Sequence, residues 1–185
     1  MKKYYLIILF IIFHLSVDGE EKKVSIADII SSSIQDINSL DSASKNNLLN
    51  QLKENKNRIA QDEEDLLNFL IGYLLCDDKK YEEAYQYLKI EIDDDFALSD
   101  YREYFLIISR IEKIKRNKEE NLHEIDDILS SLSLFSVKYP ESLLKNKITE
   151  KIASIEKKIA LLYLNQNNPK QALLFLKRLI ARTSD

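Results

Sequence analysis

The sequence predicts an all-α protein, an αα-hairpin solenoid behind an amino-terminal signal peptide. Three observations carry this expectation. Glycine occurs only twice, as Gly19 and Gly72, and proline only twice, as Pro140 and Pro169. Apolar residues recur three and four positions apart through most of the chain, with no strict two-residue alternation. A basic start followed by an apolar run opens it. Tight strand-to-strand turns and phosphate-cradling loops both lean on glycine, which tolerates positive φ and close backbone approach. A chain of 185 residues with two glycines is poorly suited to either.

The amino terminus is read first. Met1-Lys2-Lys3 precedes Tyr4 to Val17, and Asp18, Gly19, Glu20 and Glu21 follow. The apolar run is about 14 residues, short of the roughly 20 needed to span a bilayer. Val17 and Gly19 stand where a signal peptidase requires small residues, so residues 1–19 are predicted to be a signal peptide cleaved after Gly19. An uncleaved anchor is the alternative. No cysteine follows the run to carry a lipid. The predicted location is therefore exported, periplasmic or secreted, with no stable membrane span after cleavage.

Residues 20–61 form an amino-terminal helical segment. Ile26, Ile29, Ile30, Ile34 and Ile37 make a stripe at helical spacing. Residues 39–44 read as a break, and Leu48, Leu49, Leu52 and Ile59 carry a second, more polar helix. Residues 62–185 are predicted to hold helical repeats. Asp62 reads as an N-cap, with Glu63, Glu64 and Asp65 suited to the positive end of the helix dipole. The helix from Leu66 to Leu75 is apolar almost all round and is expected to be central. Tyr81, Ala84, Tyr85, Leu88 and Ile92 mark the next helix, which residues 93–95 end. Ser99 and Asp100 cap a third, with Tyr104, Ile108 and Ile111 inside. After a charged connection at 116–121, Leu122 to Phe135 continue as a helix that stops at Tyr139-Pro140. Ser142 is read as the start of a long helix through Ile148, Ile152 and Ile159. A turn at 166–169 places Pro169 in the first turn of the last helix, where proline is tolerated.

Composition excludes several functions. A net charge of −4, with Lys and Arg interspersed among Asp and Glu, lacks the basic footprint of a nucleic-acid binder. The single cysteine, Cys76, permits no intrachain disulfide and no thiolate metal cluster. It reads as a structural thiol, with pairing between chains as the alternative. Asp93-Asp94-Asp95 and Asp77-Asp78 lack the alternating ligands, central glycine and distal glutamate of a calcium loop, and read as solvated turns. His123 has no nucleophile or acid at a motif spacing, so it reads as a helix-surface residue and not a general base. No catalytic residues, no cofactor and no metal are predicted.

A repeat is legible in the second half. Ile71-Gly72, Leu75, Tyr81, Ala84 and Leu88 have the same spacing as Ile159-Ala160, Tyr163, Pro169, Ala172 and Leu176. Small residues recur where one helix crosses the next, and large apolar ones flank them. Each pair would expose an apolar face unless a neighbour covers it, which drives stacking.

This pattern resembles the tetratricopeptide repeat (TPR), with Tyr81-Glu82-Glu83-Ala84 as the best match. Asn68 and Glu156 stand where that repeat carries an aromatic. The resemblance implies a TPR-like right-handed superhelix that binds protein or peptide partners. In such a superhelix Tyr73, Tyr85 and Tyr87 would line the concave face and its rim, and they are the candidate partner-binding residues. Lys138-Tyr139-Pro140-Glu141-Ser142 with the following long helix resembles BamD-type envelope scaffolds. The segment from Leu98 to Phe105 resembles the helical region of soluble lytic transglycosylases, whose catalytic domain has no counterpart in this sequence. The expected function is a non-enzymatic exported scaffold for protein–protein interaction in the cell envelope. The alternative is the non-catalytic helical portion of a cell-wall lytic enzyme. A homo-oligomer held through the exposed end of the stack is a third reading.

Overall fold

A computed structural model describes residues 24–31, 40–93, 96–116 and 122–183; their regular structure is helical, and no strand occurs among them. Eight α-helices follow in order: α1 (Ile26–Ser31), α2 (Ser42–Glu54), α3 (Glu64–Asp77), α4 (Tyr81–Leu88), α5 (Ser99–Arg116), α6 (Leu122–Lys138), α7 (Lys145–Asn165) and α8 (Pro169–Thr183). Short 3-10 turns at Lys56–Arg58 and Gln61–Glu63 lead from α2 into α3. Each helix packs mainly on its neighbour in sequence. The signal segment, Ile34, Ile37, residues 94–95, most of the 116–121 connection and the His123 side chain lie outside the described residues. The chain divides into two compact units, Met1–Ala97 and Leu98–Asp185.

Unit one is built around α3. Ten of its residues, from Leu66 to Cys76, are buried, as an all-round apolar helix should be. Asp41 begins α2, its carboxylate accepting the Ser44 N–H at 2.7 Å. That bond holds the Asp41 carboxyl below its usual range. The expected cap at Asp62 is not used. Residues 61–63 tighten into a 3-10 turn, and α3 begins at Glu64. The reason lies next door. Glu63 is buried and its carboxylate accepts the Ser25 hydroxyl at 2.7 Å and the Ile26 N–H at 3.0 Å, so it serves the start of α1.

Gly72 sets how closely α3 and α4 cross. A Cβ there would lie 2.5 Å from the Leu88 Cγ, and Leu88 is fully buried. α4 ends at Leu88, short of residues 93–95. The Asp93 N–H instead donates to the Asp65 carboxylate at 2.9 Å, tying the returning chain to the first turn of α3. The acidic turn after α3 is paired: Asp77 with Lys45 at 2.7 Å and Asp78 with Lys80 at 2.7 Å.

Unit two has a continuous core from α5 to α8, including Ile107, Ile128, Leu132, Phe135 and Ile148. Tyr104 is half-buried against it, and burial followed by the Glu150 carboxylate pushes its phenol up. α6 stops at Lys138 before Pro140, as expected. α7, however, begins at Lys145 and not at Ser142. The Ser142 hydroxyl donates to the Asp100 carboxylate at 2.6 Å and accepts the Leu144 N–H at 3.1 Å. It fastens the turn to the first turn of α5 and leaves the helix to start three residues later. Pro169 is the first residue of α8.

The two hairpins with matching spacing close through the same turn. After α3, Lys80 N–H donates to Leu75 C=O (2.8 Å) and Lys79 N–H to Cys76 C=O (3.0 Å). After α7, Asn168 N–H donates to Tyr163 C=O (2.8 Å) and Asn167 N–H to Leu164 C=O (3.0 Å). Both are Schellman turns, and their left-handed residues, Lys79 (φ 60°) and Asn167 (φ 55°), occupy the same repeat position.

Candidate functional site

The tyrosines proposed from sequence all lie in unit one. Tyr73 on α3 is half-buried and stacks on Phe69 with centroids 6.3 Å apart. Tyr85 lies beneath the Lys89 ammonium, 5.6 Å from its ring. Tyr87 lies beneath two cations, Lys53 at 5.9 Å and Lys56 at 5.6 Å. Residues two apart on a helix do not share a face. Tyr85 and Tyr87 are therefore not brought together, and Tyr87 is occupied by the end of α2 and the turn after it.

The open concavity lies in unit two. α6, α7 and α8 border a groove of about 830 Å³. Glu156 and Tyr163 of α7 contribute from the middle helix, and Glu156 is buried. One side comes from α6, with Asp126, Leu129 and Leu134; the other comes from α8, with Gln171, Leu174 and Phe175. Phe175 stacks on Tyr163 at 5.9 Å and carries the Arg178 guanidinium 5.2 Å above its ring. Leu134 is 63% exposed and Leu174 45%, although both belong to helices with well-buried faces.

The matched spacing puts Gln171 and Phe175 at the positions of Glu83 and Tyr87. In unit one Lys53 reaches the Glu83 carboxylate at 3.5 Å and, with Lys56, covers the Tyr87 ring. In unit two Gln171 is exposed, and Phe175 is buried against Tyr163 and beneath Arg178.

Sequence reading missed the groove because it scored one apolar stripe per helix. The signal was there in the runs Ala172-Leu173-Leu174-Phe175-Leu176 and Leu132-Ser133-Leu134-Phe135. Such runs are wider than a single buried face can absorb, so some leucines must face outward. Leu173 and Ile180 on α8, and Leu161 and Leu164 on α7, are also exposed.

Chemically the groove offers leucine and aromatic surface with acidic, amide and guanidinium groups at intervals. That composition suits a peptide or helix with apolar anchors. Among the described residues no three His, Cys, Asp or Glu side chains gather as a metal site. Cys76 is buried in α3. No described helix is long and apolar enough to cross a membrane. No protein-family model matches this chain, and no curated protein or solved structure matches it either.

Proposed function

We propose that this chain is a non-enzymatic, exported helical-repeat scaffold of the cell envelope, which holds a protein or peptide partner in the α6–α8 groove. On this reading α3/α4 and α7/α8 are two copies of a TPR-like hairpin in an αα solenoid, and residues 1–19 direct export. The observation that carries the proposal is the open groove itself. Exposed Leu134 and Leu174 border it. An amphipathic helix laid between α6 and α8 would cover the exposed half of each leucine, worth about 0.7–1.5 kcal/mol apiece, half the value for full burial.

Photo-crosslinking side chains introduced at Leu134, Leu174 and the exposed control Glu141 test this in cells. Discrete protein adducts are expected from the two groove positions only. Equal labelling from Glu141, or no adduct from the groove, would sink the scaffold reading. Mass spectrometry of the envelope fraction should find a mature chain beginning at Glu20; an intact amino terminus in the cytosol would refute export.

A further inference from the structure

We propose that unit two docks on an anionic phospholipid surface through the outer row of α8, made of Lys170, Leu173, Lys177 and Ile180. These residues are spaced three, four and three apart, so they share one side of the helix over about 15 Å. All four are exposed, Leu173 by 51% and Ile180 by 63%. None of them lines the α6–α8 groove, so the row is a second surface, independent of the groove. Another face of the same helix is anchored. Ala172 and Phe175 are buried, and Phe175 stacks on Tyr163 of α7. The row therefore sits on a packed helix and is presented without any unfolding.

Charge points to the occupant. α8 carries Lys170, Lys177, Arg178 and Arg182 and no Asp or Glu. Among the described residues neither Lys170 nor Lys177 is taken up in an ion pair, unlike Lys45, Lys53 and Lys80 of unit one. The chain as a whole divides the same way. Residues 98–185 hold 16 Lys and Arg against 12 Asp and Glu, whereas residues 1–97 hold 11 against 19. An anionic surface attracts unit two and repels unit one. Apolar exposure follows the charge, since the exposed large apolar side chains among the described residues all lie in unit two. Lysine is depleted from protein–protein contact surfaces, where its ammonium would lose water. A helix lying on a bilayer is instead rich in Lys and Arg beside leucine. There the leucines enter the boundary between headgroups and acyl chains. The lysine stems lie along them, and the ammonium groups reach the lipid phosphates. The row alternates these two parts along its length. No described helix is long and apolar enough to cross a membrane, so the contact is peripheral.

The chain has no tryptophan, so Leu173→Trp places a single fluorescent reporter in the row. Its emission is followed in the full chain with vesicles of equal parts phosphatidylglycerol and phosphatidylcholine, and with vesicles of phosphatidylcholine alone. A saturable blue shift is expected with the anionic vesicles, weakened by added salt, and none with the neutral ones. Lys170→Gln with Lys177→Gln in that background should weaken binding about 25-fold, since each basic residue near such a surface contributes about fivefold. Glu141→Trp, exposed in unit two but outside α8, should show no shift, which separates docking through α8 from adsorption through another part of the chain. Crosslinks from Leu134 should survive the paired lysine substitution, so loss of the groove partner and loss of the lipid are read separately. Equal shifts with neutral vesicles, an equal shift from Glu141→Trp, or no shift with anionic vesicles would overturn the proposal. So would binding unchanged by the paired lysine substitution. A blue shift that grows with protein concentration in the absence of vesicles would also overturn it, by assigning the row to contacts between copies of the chain.

Discussion

The α3/α4 and α7/α8 hairpins share a turn and differ in nearly everything around it. Both close through the same pair of backbone hydrogen bonds with a left-handed residue at the same position. At the crossing the first sets Gly72 against a fully buried Leu88, and the second has Ala160 and a partly buried Leu176 at the matching positions. Within the helix the first buries Asn68, with neither carboxamide atom hydrogen-bonded, and the second buries Glu156. On the outside Tyr87 lies under Lys53 and Lys56 of the preceding segment, while Phe175, at the matching position, is buried under Arg178 of its own helix. Backbone hydrogen bonding and small residues set the hairpin. What lies against it is decided one side chain at a time, so the same position can be covered by a preceding segment in one copy and from within its own hairpin in the other.

Four experiments press on that comparison. The largest effect is expected at the crossing leucines. Leu88→Ala should cost about 2–5 kcal/mol in urea unfolding, the range for a fully buried leucine. Leu176→Ala should cost about 1–2 kcal/mol, because a partly exposed side chain has less contact to lose. Equal losses would mean that the two crossings are packed alike.

Next comes the small residue. Gly72→Ala gains about 1 kcal/mol of helix propensity. Its Cβ meets Leu88 at 2.5 Å, and forcing the two apart should cost about 1–3 kcal/mol, for a net loss of stability. Ala160→Gly should lose about 1 kcal/mol through propensity alone. Stabilisation by Gly72→Ala would show that Leu88 can move aside freely.

The turn residues should show a smaller contrast. Lys79→Gly is expected to stabilise by about 0.5–1 kcal/mol, because a side chain with a Cβ is strained at positive φ. Asn167→Gly should be nearly neutral, since asparagine tolerates that conformation. Equal shifts in melting temperature would contradict this.

The smallest effect concerns acid. The folded Asp41 carboxyl titrates below its ordinary value because the Ser44 N–H favours the charged form. Its contribution is therefore present above the unfolded value and is lost as pH falls through the folded one. Amide exchange in α2 should quicken over that acid window, and Tyr87 should become more exposed as its lysine cover loosens. Asp41→Asn should flatten the response. Unchanged exchange of α2 amides across the window would count against the cap.

Much of this was legible in the chain. Two glycines and the apolar periodicity predict an all-helical protein, and the described residues form eight helices and no strands. The Ile71 to Leu88 spacing and its copy from Ile159 to Leu176 predict two hairpins, and both are present. Helix starts were less legible. Asp62 and Ser142 look like caps, but Glu63 bonds to Ser25 and Ile26, and Ser142 bonds to Asp100, partners distant in sequence. The groove was least legible. Tyrosine content drew attention to Tyr73, Tyr85 and Tyr87, yet it is the neighbours of each helix that decide whether an aromatic is covered. Lys53 and Lys56 over Tyr87 are invisible to any reading of one helix at a time.

The shared turn also bears on how the chain folds. Each turn joins its two helices through hydrogen bonds between residues three to five apart, and the crossing of α3 and α4 at Gly72 and Leu88 follows within a short stretch of chain. Contacts so close in sequence need little loop closure, and chains rich in them fold in microseconds to milliseconds. Synthesis delivers only about 5–20 residues each second. The first hairpin therefore has time to close while the second is still being made, so each copy meets its own neighbours before the other can compete for them.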